Sequence, residues 1–332
     1  MATIYEVSEL AGVSLATVSR VVNKNARVSD KTKEKVLNAM KELGYKPNSI
    51  AQSLASNRSN SIGLLVSELH GPFFGAMMSG IEAELRAAGK HTIIASGHSD
   101  EKTEQDSIEF LVGRKCDALI LHAEAVSDEF LLELSKGTTP FVIINRIVPG
   151  IEEHCISLDN EHGGYLATKY LIEKGHTQFA YVSGPNWKKD ARDRYAGHLR
   201  ALAEQGLTQH PKLLVEGNFQ QSGGRYGLEQ CLSANLPFTA LVCGNDEMAS
   251  GAITRAREAD LSVPDDFSII GFDNIIYADY LFPKLTTIEY PVQKMGQMAA
   301  KLILANTYRI ETGELTTEFT PRLIERDSCV NL

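Results

Sequence analysis

Between Thr3 and Asn23 the sequence holds two short helices joined by a glycine turn, and no other stretch leaves so few folding choices. Thr3 followed by Glu6 has the spacing at which a hydroxyl and a carboxylate satisfy each other's orphan amides. Ile4, Val7 and Leu10 recur at helical spacing. Gly12 supplies the permissive backbone of a tight turn, Val13 anchors it inward, and Ser14 can cap a second helix. On that helix Val18, Val21 and Val22 share one face, while Leu15, Ala16, Thr17, Ser19 and Arg20 lie towards the other. A small, hydroxylated outer face ending in Arg20 and Asn23 suits a DNA major groove. Small residues let the backbone approach, hydroxyls and Arg bond phosphates or base edges, and apolar groups touch thymine methyls. The pattern predicts a helix-turn-helix that contacts DNA through Thr3, Ser14, Leu15, Ala16, Thr17, Ser19, Arg20 and Asn23; the alternative is an ordinary helical hairpin.

The net charge of −9 runs against DNA binding until it is divided along the chain. Residues 1–60 carry nine Lys/Arg against five Asp/Glu, and the remainder carries 24 against 37. Counterion release needs cations only where phosphates lie, and an acidic body discourages indiscriminate DNA binding. The asymmetry predicts a small DNA-binding head on a separate ligand-binding body. With 332 residues the chain is long enough for two or three domains. No run of 18 apolar residues occurs, so no membrane span is expected, and the absence of a signal-peptide pattern predicts a cytoplasmic protein. Five scattered cysteines without Cys-x-x-Cys spacing read as reduced thiols, neither a disulfide frame nor a zinc site. No nucleotide-binding, hydrolase or metalloprotease motif is present, and no catalytic residue, cofactor or metal is expected.

A third helix is predicted from Asp30 to Leu43, with Val36, Met40 and Leu43 facing the first two; Gly44 and Pro47 end it. The headpiece is therefore residues 1–46, followed by a linker at 47–60. Asn48–Asn57 has helical propensity, but a helix that short is marginal in water and should order only when something packs on it. From Ser61 onward, apolar strands (62–67, 91–96, 118–122, 141–145, 179–183, 240–244 and 268–273) alternate with amphipathic helices near 74–88, 102–113, 162–174, 193–205, 222–234 and 246–259. This alternation predicts parallel sheets covered on both faces, arranged as two doubly wound α/β lobes after the all-α headpiece. The second lobe restarts near Gln178.

The run Ala11-Gly12-Val13-Ser14 with Ala16-Thr17-Val18-Ser19-Arg20-Val21 resembles the start of the LacI-type repressors. Pro72-Phe73-Phe74-Gly75, Ile144-Asn145-Arg146-Ile147, Gly175-His176-Thr177, Asn245-Asp246, Ile270-Gly271-Phe272-Asp273 and Leu285-Thr286-Thr287 extend the resemblance over essentially the whole chain. Ser8 departs from it, since the family usually has Ala there. The resemblance implies a periplasmic-binding-protein-like body at 61–332, with lobe 1 at about 61–159 and 289–318 and lobe 2 at about 160–288 and 319–332. It makes residues 48–57 a hinge helix, in which Asn48 joins the DNA-contacting set and Leu54 matches a leucine that wedges into the minor groove. It also implies a homodimer on a pseudo-palindromic operator, released by a small sugar. The stretches Phe73–Met77 and Ile143–Gly150 resemble galactose-responsive members most. Another hexose or a β-glucoside is the alternative effector, and a sugar-binding transport protein the alternative function.

Open α/β lobes bind ligands at the carboxyl ends of their strands. That rule selects Asn145, Arg146, Asn245, Asp246 and Asp273. Carboxylates, amides and guanidinium forks grip vicinal hydroxyls, and aromatic rings cover a sugar's C–H face. The resemblance adds Arg194 as a clamp in the second lobe, with Phe73, Phe74 and Phe219 as pocket walls. Asp246 reads equally well as a residue that serves only the following helix.

Overall fold

The computed structural model describes residues 2–23, 28–46 and 58–332; Asn48 and Leu54 therefore lie outside the described residues. The headpiece comprises α1 (Ile4–Ala11), α2 (Leu15–Asn23) and α3 (Asp30–Glu42). They close on Val7, Ala11, Val18, Val21, Val36 and Ala39. The capping box forms as its spacing requires: the Thr3 amide donates to Glu6 Oε2 at 2.7 Å, and the Glu6 amide donates to Thr3 Oγ1 at 3.4 Å. Gly12 ends α1 at φ 63°, a left-handed conformation that costs glycine nothing. Leu10, read as part of the inner stripe, is exposed, and Ala11 takes the inward place four residues after Val7. Ser8 donates its hydroxyl to the Val13 carbonyl at 2.6 Å, so this departure from the family pattern closes the turn.

The body contains two six-stranded sheets. Across the first, the order is Glu318–Phe319, Cys155–Leu158, Phe141–Ile144, Ala118–Leu121, Ser61–Val66 and His91–Ser96, all parallel. Across the second it is Arg322–Ile324, Thr286–Glu289, Ser268–Asp273, Ala240–Cys243, Phe179–Ser183 and Leu214–Glu216. Only Arg322–Ile324 runs antiparallel to its neighbour. Central strands such as Ala118–Leu121 and Ser268–Asp273 are buried throughout, because helices cover both faces of each sheet.

The return of the chain differs from the expected path at both ends. Glu289 still pairs with Asp273 in the second sheet, so the chain leaves that lobe only after it. Phe319, expected in the second lobe, pairs with Leu158 in the first. The crossing is confined to Thr320-Pro321, where proline has no amide to give a ladder. The helices Asp128–Ser135 and Val292–Tyr308 and the strand Cys155–Leu158 were not marked by the strand–helix alternation. Helix Lys189–Glu204 begins a full turn before its expected start, which brings its first residues into the space between the lobes. It packs on helix Asn160–Glu173 at glycine contacts: a Cβ on Gly164 would stand 1.9 Å from the Arg194 carbonyl, and one on Gly197 equally close to that of Glu161. Among the described residues no helix is long and apolar enough to cross a membrane. All five cysteines are buried and unpaired.

Candidate DNA interface and effector cavity

In the headpiece, Ser14, Leu15, Ala16 and Arg20 are exposed on one side of α2, with Thr17, Ser19 and Asn23 half-buried beside them. The Thr17 amide donates to Ser14 Oγ at 3.2 Å, and the two hydroxyls lie 2.9 Å apart, so Ser14 both starts the helix and joins its outer face. Asn23 Nδ2 donates to Ser19 Oγ at 3.1 Å. The exposed set is short, polar and uncrowded, and nothing on it bars a close approach of the helix to a groove. Thr3 is exposed at the start of α1, where both its polar groups are used in the capping box.

Between the lobes, at the carboxyl ends of the strands, lies a cavity of about 290 Å³. Phe73, Phe74, Asn145, Arg194, Phe219, Asn245 and Asp273 line it, as the sequence reading requires of them. Arg194 is its hub. Although only 3% exposed, its guanidinium donates through Nε to Asn160 Oδ1 at 2.9 Å and through Nη1 to the Gly244 carbonyl at 2.7 Å. It lies 3.8 Å from the centroid of the Phe272 ring, an arrangement that favours a cation in a desolvated place. Asp273 Oδ1 stands 3.5 Å from Nη1, yet has no hydrogen-bond partner. Burial pushes the Asp273 carboxyl well above the usual carboxylate range, against the pull of Arg194.

Two residues selected by the strand-end rule have other tasks. Arg146 is not in the cavity wall. Its guanidinium turns aside, donating to the Val126 carbonyl at 2.7 Å and to Asp128 Oδ1 at 2.5 Å, and so ties the strand end to loop 123–128. Asp246 is fully buried, accepting from the Thr287 hydroxyl at 2.5 Å and the Ile275 amide at 2.9 Å. It is a structural residue of the second lobe. Asn245 lines the cavity but is partly committed: Oδ1 caps the following helix at Met248 N, and Nδ2 holds the Phe219 carbonyl, both at 2.9 Å. Phe219 itself has a φ of 62° and lines the cavity.

The cavity also contains residues that the sequence reading did not name. Glu124 Oε2 accepts from Ser67 Oγ at 2.8 Å, Ser99 Oγ at 2.7 Å and Lys188 Nζ at 2.7 Å. The serines belong to the first lobe and Lys188 to the second, so this ion pair spans the cleft. Burial opposes ionisation of Glu124, but the His122 and Lys188 charges and the hydrogen bonds of Lys188 and Ser99 outweigh it and hold the carboxyl at about 2. Since Ser67 donates to Glu124, His122 Nδ1 donates to Ser67 Oγ at 3.1 Å, leaving Nε2 buried without a partner. Asp190, in the first turn of helix Lys189–Glu204, accepts from Asn145 Nδ2 across the cleft at 3.4 Å. The early start of that helix was the missing signal; a boundary at residue 193 hides both Lys188 and Asp190. Carboxylates, amides, a guanidinium and four aromatic rings around one small space form a donor and acceptor set suited to a polyhydroxylated ring.

Residues 3–48 match the model of "Bacterial regulatory proteins, lacI family", and residues 168–329 match a periplasmic binding protein-like domain. The chain is 40% identical over 328 residues to the HTH-type transcriptional regulator GalR of Escherichia coli (strain K12), covering 99% of this chain and 96% of that protein. The chain belongs to the lacI family. As a lacI-family member it also resembles solved structures over nearly its full length. A crystal structure of the lac repressor dimer bound to operator and the anti-inducer ONPF has a TM-score of 0.87 at 28% identity, with 99% of each chain covered. The CelR–cellobiose complex has a TM-score of 0.71 at 28% identity, covering 99% of this chain and 100% of that one. The fold is thus a helix-turn-helix headpiece on two parallel-sheet lobes, as the sequence pattern and the resemblance lead one to expect.

Proposed function

We propose that this lacI-family protein is a sequence-specific repressor of sugar-utilisation genes, released from its operator by a small neutral sugar, with galactose the first choice. The observation that carries the reading is the buried Arg194–Asp273 pair in a cavity walled by Phe73, Phe74 and Phe219. An unpartnered carboxyl oxygen beside an anchored guanidinium is a place for a hydroxyl, and the rings cover a sugar's apolar face. The likeness to GalR and the stretches Phe73–Met77 and Ile143–Gly150 support galactose over another hexose or a β-glucoside.

The repressor works as a homodimer on a pseudo-palindromic site, since each chain supplies one recognition helix. The second lobe offers a face for that pairing: Ile276, Tyr277, Tyr280 and Phe282 are exposed close together in sequence, with Phe282 85% exposed. Asn48 and Leu54 complete the DNA contact in this reading. Sugar bound between the lobes favours one lobe arrangement over another, and linkage requires operator to weaken sugar binding by the same factor. An operator gel shift with a panel of hexoses tests the reading. Galactose should release the DNA at the lowest concentration; retention of the operator in the presence of every sugar would overturn it.

A further inference from the structure

The cleft takes the carboxyl ends of the strands, and the amino end of the first sheet is where the chain arrives from the headpiece. The strand starts are level there: Ser61 pairs with His91, Ile62 with Ala118 and Leu119 with Phe141. The segments leading into these four strands are 58–60, 88–90, 114–117 and 136–140. They hold Arg58, Lys90, Arg114, Lys115 and Lys136 against one carboxylate, Asp117. The matching segments of the second sheet, 174–178, 205–213, 234–239 and 259–267, hold Lys174 and Lys212 against Asp260, Asp265 and Asp266. Cations beside the last carbonyls of helices complement the helix dipole, but that holds equally for both sheets and does not account for the difference. The basic edge also stands out from its own body, which beyond residue 60 has 24 Lys/Arg against 37 Asp/Glu.

These cations divide by their surroundings. Asp117 accepts from the Ser59 amide at 2.8 Å, the Asn60 amide at 2.9 Å and the Tyr308 hydroxyl at 2.6 Å, and so fixes the entry of the chain into the lobe. Lys90 Nζ donates to Asn60 Oδ1 at 2.7 Å and stands 3.6 Å from the centroid of the Tyr308 ring. Arg58 Nη2 donates to the Thr307 carbonyl at 2.9 Å, and Lys136 pairs with Glu133 at 2.7 Å. Arg114 and Lys115 differ. Both are exposed, neither forms an ion pair among the described residues, and Arg114 lies 4.9 Å from the centroid of the Phe110 ring. Eleven residues separate Lys46 from Arg58, and a chain of that length spans at most about 40 Å. A headpiece seated on DNA therefore keeps this edge close to the same duplex, which carries one charge per about 1.7 Å of axis.

We propose that the amino end of the first lobe is a second DNA surface, on which Arg114 and Lys115 contact phosphates of the duplex held by the headpiece. Such contacts read no bases. They add affinity that is uniform across sequences and falls steeply with salt. The proposal rests on the DNA-binding reading of the headpiece and extends it to the body.

The test uses full-length protein, a labelled duplex that the wild type selects from a random library, and a shuffled duplex for comparison. Binding is followed by fluorescence anisotropy over a salt series. Arg114→Gln with Lys115→Asn removes both charges, and asparagine tolerates the φ of 57° at position 115. A dimer then loses four phosphate contacts, so the slope of log affinity against log salt should become shallower by about 3 to 4. Affinity at low salt should fall at least about tenfold, for both duplexes alike. Arg114→Lys with Lys115→Arg keeps both charges and should keep the wild-type slope. Lys169→Gln with Lys212→Gln makes the same change of charge at exposed positions of the second lobe and should leave slope and affinity unchanged. An unchanged slope in the Arg114/Lys115 charge-removal variant, or an equal loss in the Lys169/Lys212 one, overturns the proposal while the headpiece reading stands. If the wild type selects no duplex, both readings fall.

Discussion

Arg194 Nη1 gives its hydrogen bond to the Gly244 carbonyl at 2.7 Å and leaves Asp273 Oδ1 at 3.5 Å with no donor. The guanidinium is therefore anchored by the second lobe itself, and the Asp273 carboxyl group lies open beside it. Replacing Arg194 with Ala should give a protein that holds operator and needs about 100-fold more sugar, or more, to release it. The loss also leaves Asn160 Oδ1 and the Gly244 carbonyl without their donor in a buried place, at a cost of about 1–3 kcal/mol. Thermal unfolding should record that cost, and Arg194→Lys should recover part of the stability without the sugar response, since lysine lacks the fork. If folded Arg194→Ala protein left the operator at the wild-type sugar concentration, the cavity would not be the effector site.

Leu15 and Ala16 are the exposed residues at the start of α2 that carry no charge and no polar side-chain atom. Exchanging them for a larger polar pair should change which operator is preferred, by about 1–3 kcal/mol at the affected base pairs. Arg20→Ala should instead weaken all sequences alike and make the salt dependence shallower. Binding measured over an operator library at two salt concentrations separates the two outcomes. A uniform loss from the Leu15-Ala16 exchange would remove its base-reading role.

The exposed run around Tyr280 and Phe282 allows a test of oligomeric state. Phe282→Asp and Tyr280→Asp place a charge on a face that this reading covers with a second subunit. Sedimentation should show monomers, with operator affinity lowered by at least 100-fold and sugar binding retained. Unchanged dimers would move the interface elsewhere on the body.

His198 sets part of the acid limit of stability. Burial, only partly offset by its bond to Gln209, pushes its imidazole down to about 4. Between pH 6.5 and 4 the unfolded chain takes up a proton that the folded chain refuses. Its contribution, on the order of 3 kcal/mol for a shift of that size, is complete above pH 6.5 and is lost as pH falls through 4. Asp246 runs the other way: burial raises it to about 7, so its contribution is complete below pH 3.8 and is lost as pH rises through 7. The drop in Tm between pH 6.5 and pH 4 should be shallower in His198→Asn than in wild type. Parallel curves would show that the unfolded histidine is equally depressed.

Much of the molecule follows from local rules that act within a few residues. The capping box at Thr3 and Glu6, the glycine turn and the apolar stripe of α2 specify the headpiece. The buried strands end where the strand-end rule looks for a site, at Asn145, Asn245 and Asp273. Those signals depend only on spacing and residue type, and they survive without knowledge of what packs against them.

What the tertiary structure decided is which polar strand-end residues face the cavity, and which partners they meet there. Arg146 and Asn145 are neighbours in sequence, yet one turns to Asp128 and the other to Asp190, because the loop at 123–128 offers the guanidinium a closer set of acceptors. Glu124 and Lys188 are separated by 64 positions and meet only when two sheets are set face to face across a cleft. Spacing fixes the direction of a side chain relative to its own strand or helix. Whether a charge then finds an opposite charge, a carbonyl or an empty cavity depends on segments that sequence distance does not order.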